Sequence, residues 1–159
     1  MTAVPTAGGA VVIGVGNEFR RDDGAGPEVV ARLRGRVPDG AELVVSDGEP
    51  TRMIEAWAGL PLAVVVDAVR AEPAVPGRLH RLVLDGAAAG PPGSVSSHGL
   101  GLDEAIGLGR ALDRMPDRLI VHAVEAANLS QGAGLTPAVA AAIDTLAAAV
   151  LRDLASPPR

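Results

Sequence analysis

The 159-residue chain has no cysteine, no lysine and no tyrosine, and its only aromatic residues are Phe19 and Trp57. Without cysteine there can be no disulfide, no thiolate nucleophile and no thiolate-ligated metal cluster. Without lysine, Schiff-base catalysis and the phosphate-gripping lysine of a P-loop are excluded; all 14 basic residues are arginine. The scarcity of aromatics removes the stacking platforms on which single-stranded nucleic acid is bound. A net charge of -5 repels phosphate backbones and anionic lipid, so neither nucleic acid nor a membrane surface is an expected partner. The strongest apolar run, Leu62–Val66, falls far short of the roughly 20 residues that span a bilayer. The opening MTAVPTAGGA has no basic region followed by an apolar one, so no targeting segment is read there. A soluble protein is expected, and the lack of cysteine is compatible with the cytosol.

The length suits one domain over residues 1–159, with a core built from Ala, Val, Leu and Ile. Val11–Val15 is a β-branched run stopped by glycine and predicts a buried strand. Asp22, Asp23 and then Pro27 open a helical pattern that Pro38, Asp39 and Gly40 stop. Strands are predicted over Glu42–Ser46, Leu62–Val66, Arg78–Leu84 and Arg118–Val124, with helices over Pro50–Trp57, Gly99–Leu112 and Pro137–Leu154. About ten residues separate Asp67 from the strand at Arg78. That is too few for a helical crossover, so this strand is expected to run antiparallel. The pattern predicts a three-layer α/β/α sandwich around a mostly parallel five-stranded sheet with one antiparallel strand.

In open α/β sheets, ligands bind beyond the carboxyl ends of the strands. Polar residues at those ends are therefore the candidates. The turn Gly14-Val15-Gly16-Asn17-Glu18-Phe19 begins like a dinucleotide fingerprint, but Phe19 stands where the third glycine is needed, and the acids that follow repel a pyrophosphate. Two adjacent carboxylates, Asp22 and Asp23, exceed what one helix start needs for capping, so one is expected to face the cleft. Asp67 directly follows an all-apolar buried strand, where a carboxylate is costly unless paired, solvated or bound to a cation; capping of the next turn is the plain alternative. His98 follows Ser96 and Ser97, which suit a helix cap and place the imidazole at a helix start, where its neutral, metal-binding form is favoured. The loop Asp85–Ser97 can span about 40 Å, enough to return the chain to the edge that carries Asp23 and Asp67. Two carboxylates and an imidazole suit Zn, Ni, Co or Mn and leave coordination positions open. Asp23 and Asp67 as an acid dyad is a further possibility. His80, in mid-strand, and His122, between Val121 and Ala123, are weaker candidates, the latter suited to a buried, hydrogen-bonded role.

Four segments in order, VIGVGNEFRRDDGAG, VVVDAV, SSHGLGL and GLTPAVAAAI, make the chain resemble the [NiFe]-hydrogenase maturation endopeptidases from Val11 to about Leu154. These cytoplasmic proteases remove a C-terminal extension from the hydrogenase large-subunit precursor after nickel insertion. The resemblance implies that Asp23, Asp67 and His98 are the metal-binding residues, Asp23 standing where the family has Glu or Asp. It further implies that the ion is Ni2+ carried in by the substrate and that Asp23 and Asp67 are the catalytic carboxylates, with the water activated either by one of them as general base or as a metal-bound hydroxide. Around Asp47 the family often has a DGGT-like run, whereas this chain has Asp47-Gly48-Glu49-Pro50-Thr51, a loop expected to help choose the partner hydrogenase. A non-enzymatic nickel-sensing or precursor-binding chaperone, and a self-contained zinc hydrolase, use the same three side chains and stay open.

Overall fold

Ala10 to Val15 are six consecutive buried residues, β-branched at four positions, and they form β1, an interior strand of a five-stranded sheet. The computed structural model describes residues 9–85 and 101–155. After β1 come a turn of 3-10 helix at Arg21–Gly24, α1 (Ala25–Leu33), β2 (Ala41–Ser46), α2 (Pro50–Trp57), β3 (Leu62–Val69), β4 (Leu79–Asp85), α3 (Gly101–Ala111), β5 (Arg118–Glu125) and α4 (Pro137–Ala155). The strand order is β2-β1-β3-β5-β4, with every pairing parallel except β4 on β5. The predicted α/β architecture is therefore the observed one, antiparallel strand included. β5 inserts between β3 and β4, so the two strands joined by the short connection are not neighbours.

Alternation along the strands divides the core in two. Val12, Val64, Val66 and Ile120 pack with α1 and α4, while Val11, Ile13, Val65 and Leu119 pack with α2 and α3. Burying a Val, Leu or Ile side chain is worth about 1.5–3 kcal/mol, so these two apolar layers supply most of the drive to fold. Trp57 is fully buried in the second layer, and its indole N–H donates to the Arg114 carbonyl (3.0 Å), as a buried indole must. No helix among the described residues is long and apolar enough to cross a membrane.

β4, β5 and α4 are also joined by charge. His80 donates to Glu125 (2.7 Å), and His122 donates to Asp153 (2.5 Å), which also accepts from Arg81 (2.7 Å). His122 is thus buried and hydrogen-bonded, as its setting in the sequence suggested. Burial works against charge on Asp153, but the bonds from His122 and Arg81 outweigh it and hold the carboxyl below its ordinary value of 3.8. A depressed folded-state value stabilises the fold above the unfolded value and loses that contribution as pH falls through the folded one. Between pH 6 and pH 3 the wild type is accordingly expected to lose more melting temperature than Asp153→Asn, followed by circular dichroism. Equal losses in the two proteins would remove Asp153 as an acid-sensitive tie.

Candidate active site

The chain steps from β1 to β2 on one side and then back to β3 on the other, so β1 and β3 flank the point where the winding reverses. Such a switch point leaves a crevice beyond the carboxyl ends of the strands. Pairing of β1 with β3 ends at Gly14 and Val66, whereas β3 continues beside β5 through Asp67–Ala123 to Val69–Glu125. Asp67 therefore lies inside β3, two residues before its end, and not directly after the strand as its apolar run suggested. It is a buried carboxylate at the first position where β3 has lost its β1 neighbour, 3% exposed. By alternation with Val65 it belongs to the sheet face covered by α2 and α3.

Asp23 reaches the same edge from the other direction. The turn of 3-10 helix that carries it packs against β3, and the residue is 4% exposed. The backbone N–H of Asn17, just past β1, donates to Asp23 Oδ2 (2.9 Å). Two glycines make this approach possible. A Cβ on Gly16, at φ +141°, would sit 1.8 Å from the Asp23 carbonyl oxygen. A Cβ on Gly26 would sit 2.6 Å from Val15 backbone atoms and 2.7 Å from the Val66 carbonyl, so glycine there lets the start of α1 lie directly on β1 and β3. Asp23, in the turn after β1, and Asp67, near the carboxyl end of β3, thus lie at the edge to which the direction of these parallel strands assigns them.

Asp22 turns out differently. Neither the 3-10 turn nor α1 has a side-chain N-cap, so the capping role expected of one acid is absent. Asp22 instead points to the segment between β5 and α4. Its Oδ2 accepts from the N–H groups of Ala127 (2.8 Å) and Asn128 (3.0 Å), and its Oδ1 from the Thr136 N–H (2.7 Å) and hydroxyl (2.9 Å). The tie is reinforced by backbone bonds from Arg21 N to Gly132 O, Asp22 N to Asn128 O and Gly132 N to Phe19 O. One buried carboxylate thereby pins the turn that carries Asp23 to the entry of α4. Sequence reasoning missed this role because its partners lie 105 to 114 residues away; the only hint was that two adjacent acids exceed what one helix start can use.

His98 lies outside the described residues, as do Ser96 and Ser97, the caps expected from the sequence; α3 begins at Gly101. Among the described residues no group of three or more His, Asp or Glu side chains is arranged to hold a metal. His80 and His122 are both engaged with carboxylates in the β4–β5–α4 network. The Asp47 loop closes on itself: the Glu49 N–H donates to Asp47 (3.1 Å), and Glu49 caps α2 through the Arg52 N–H (3.0 Å). Its sequence, which departs from a DGGT-like run, thus doubles as a helix start, with Pro50 as the first helical residue.

A family model described as hydrogenase maturation protease matches residues 27–153. The hydrogenase 2 maturation protease of Escherichia coli is 27% identical over 146 residues, covering 91% of this chain and 89% of that protein. Among solved structures, the hydrogenase maturating endopeptidase HybD from E. coli superposes with a TM-score of 0.76 at 26% identity, over 92% of this chain and 91% of that one. The [NiFe] hydrogenase maturation protease HybD from Thermococcus kodakarensis shares the fold, with a TM-score of 0.70 at 20% identity over 93% and 99% of the two chains.

Proposed function

The chain belongs to the hydrogenase maturation protease family, a family of peptidases, and from that premise we propose that it removes the C-terminal extension of a [NiFe]-hydrogenase large-subunit precursor after nickel insertion. The observation that supports this reading is that two buried carboxylates, Asp23 and Asp67, lie at the switch-point edge of the sheet. We assign them, with His98, the task of completing the coordination of a nickel ion that the precursor already holds. Two carboxylates and an imidazole suit that ion. The nickel is part of the substrate, so it reports that insertion has occurred and places the scissile bond against the cleft. The same pair of carboxylates is assigned the general-base role toward the attacking water. The cytoplasm, where such precursors are processed, is the compartment this reading requires. The loop at Asp47 borders the crevice and is the place where one hydrogenase is told from another.

The test is incubation of the purified protein with nickel-loaded and nickel-free precursors from the same genome, read by intact-mass spectrometry. Shortening of the nickel-loaded precursor alone is the expected result. A stable nickel-dependent complex with no mass loss would replace the peptidase by a precursor-binding chaperone.

A further inference from the structure

Among the described residues, Phe19 and Val45 are two of the few large apolar ones left exposed, at 65% and 49%, and they line one groove. On the face covered by α1, β2 presents Ala41, Leu43 and Val45; the first and second pack against the core, and the third is uncovered. The groove holds about 460 Å³, within the size range of ligand sites. Its walls are Val45 of β2, Pro27 and Ala31 of α1, and the turn Gly16–Phe19, which makes it continuous with the backbone that hydrogen-bonds Asp23.

The groove is charged unequally along its length. Glu18 and Asp47 stand at the carboxyl edge of the sheet, next to the candidate active site, while Arg34 lies at the far end, just past the last turn of α1. The rise from Pro27 to Arg34 is about 10 Å, the length of about three extended residues. Among the described residues neither Glu18 nor Arg34 takes part in an ion pair, so both charges are available to a ligand. Among the described residues β2 is the terminal strand, so its outer edge also offers backbone donors and acceptors to an extended chain.

We infer that this groove seats an extended segment of the precursor next to the scissile bond. The segment carries a basic residue toward Glu18 and Asp47, apolar residues over Phe19 and Val45, and an acidic residue on Arg34. Opposite charges at the two ends allow the segment to lie in only one direction, because the reverse threading sets like charge against like at both ends. The inference rests on the proposed peptidase function and adds to it the surface that reads the polypeptide, separate from the one that reads the metal.

Two measurements test it. In steady-state cleavage of nickel-loaded precursor, Val45→Asp and Arg34→Glu are expected to raise KM about tenfold or more while lowering kcat less than about twofold, the signature of lost binding common to ground and transition states. Reversing the charge of the precursor's acidic residue should restore KM for Arg34→Glu and not for Val45→Asp. Ala31→Phe, an exposed helix substitution that fills the groove, should have the same effect as Val45→Asp and guards against misfolding of the strand variant. Unchanged KM in all three variants overturns the inference and leaves the peptidase function intact. The second measurement is independent of cleavage: a synthetic peptide spanning the precursor's processing site is titrated into the 15N-labelled protein. Shifts centred on Phe19, Ala31 and Val45 support the groove, and shifts elsewhere or none overturn it, whether or not the wild type cleaves.

Discussion

Asp23→Asn is expected to lower the rate of precursor cleavage by about 10²–10⁴-fold, the range lost when a general acid or base is removed, with Asp67→Asn falling in the same range. The substitution keeps side-chain volume, and the asparagine carbonyl can still accept the bond that Asn17 N–H gives Asp23. What is lost is the negative charge, which a nickel ion needs from its ligand and an attacking water needs from its base. The melting temperature should therefore stay within a few degrees of the wild type while turnover collapses. The double variant should fall little further than either single one, because residues acting as a unit are not additive. Cleavage at an unchanged rate in both single variants would take the active site away from this edge.

The second large effect concerns folding. Asp22 is fully buried and accepts from three backbone N–H groups and one hydroxyl, all in the segment that enters α4. Asp22→Ala leaves these donors without an acceptor, and each buried orphan costs about 1–3 kcal/mol. Partial entry of water reduces the sum, so a loss of about 3–5 kcal/mol is expected. For a chain of this length that is a fall in melting temperature of about 6–20 °C, by calorimetry. Asp22→Asn, which keeps one acceptor and turns an amide donor toward the others, should fall between wild type and alanine. Thr136→Val removes the hydroxyl alone and should cost about 1 kcal/mol. An alanine variant melting within about 2 °C of the wild type would show that the tie carries no stability. Because Asp22 is adjacent to Asp23, the surviving fold of Asp22→Asn should also cleave more slowly, with Asp23 itself intact.

Much of this was legible in the chain. The lack of cysteine, lysine and aromatics ruled out several chemistries before any fold was considered. Apolar runs of β-branched residues marked the strands, and the Pro-led starts at Pro50 and Pro137 marked two helices to the residue. These signals are local: each depends on neighbours within one or two turns of chain, so the sequence displays them directly. The antiparallel strand was legible for a related reason, since a connection too short for a crossover is a matter of length. The edge of the sheet that carries Asp23 and Asp67 followed from these, because a residue after or near the carboxyl end of a parallel strand has its edge assigned by the strand's direction alone.

What only the tertiary structure decided are facts between distant segments. No local signal places β5 between β3 and β4, nor carries β3 past Asp67, which continues as strand because β5 offers it backbone partners. The role of Asp22 is the sharpest case. By sequence it and Asp23 are the same residue type at adjacent positions, and either would serve as a cap. The fold separates them: one carboxylate turns inward to hold the entry of α4, and the other is left at the switch-point edge. Chemistry of side chains and local periodicity are properties of the chain itself; which of two identical neighbours does which task depends on donors more than 100 residues away.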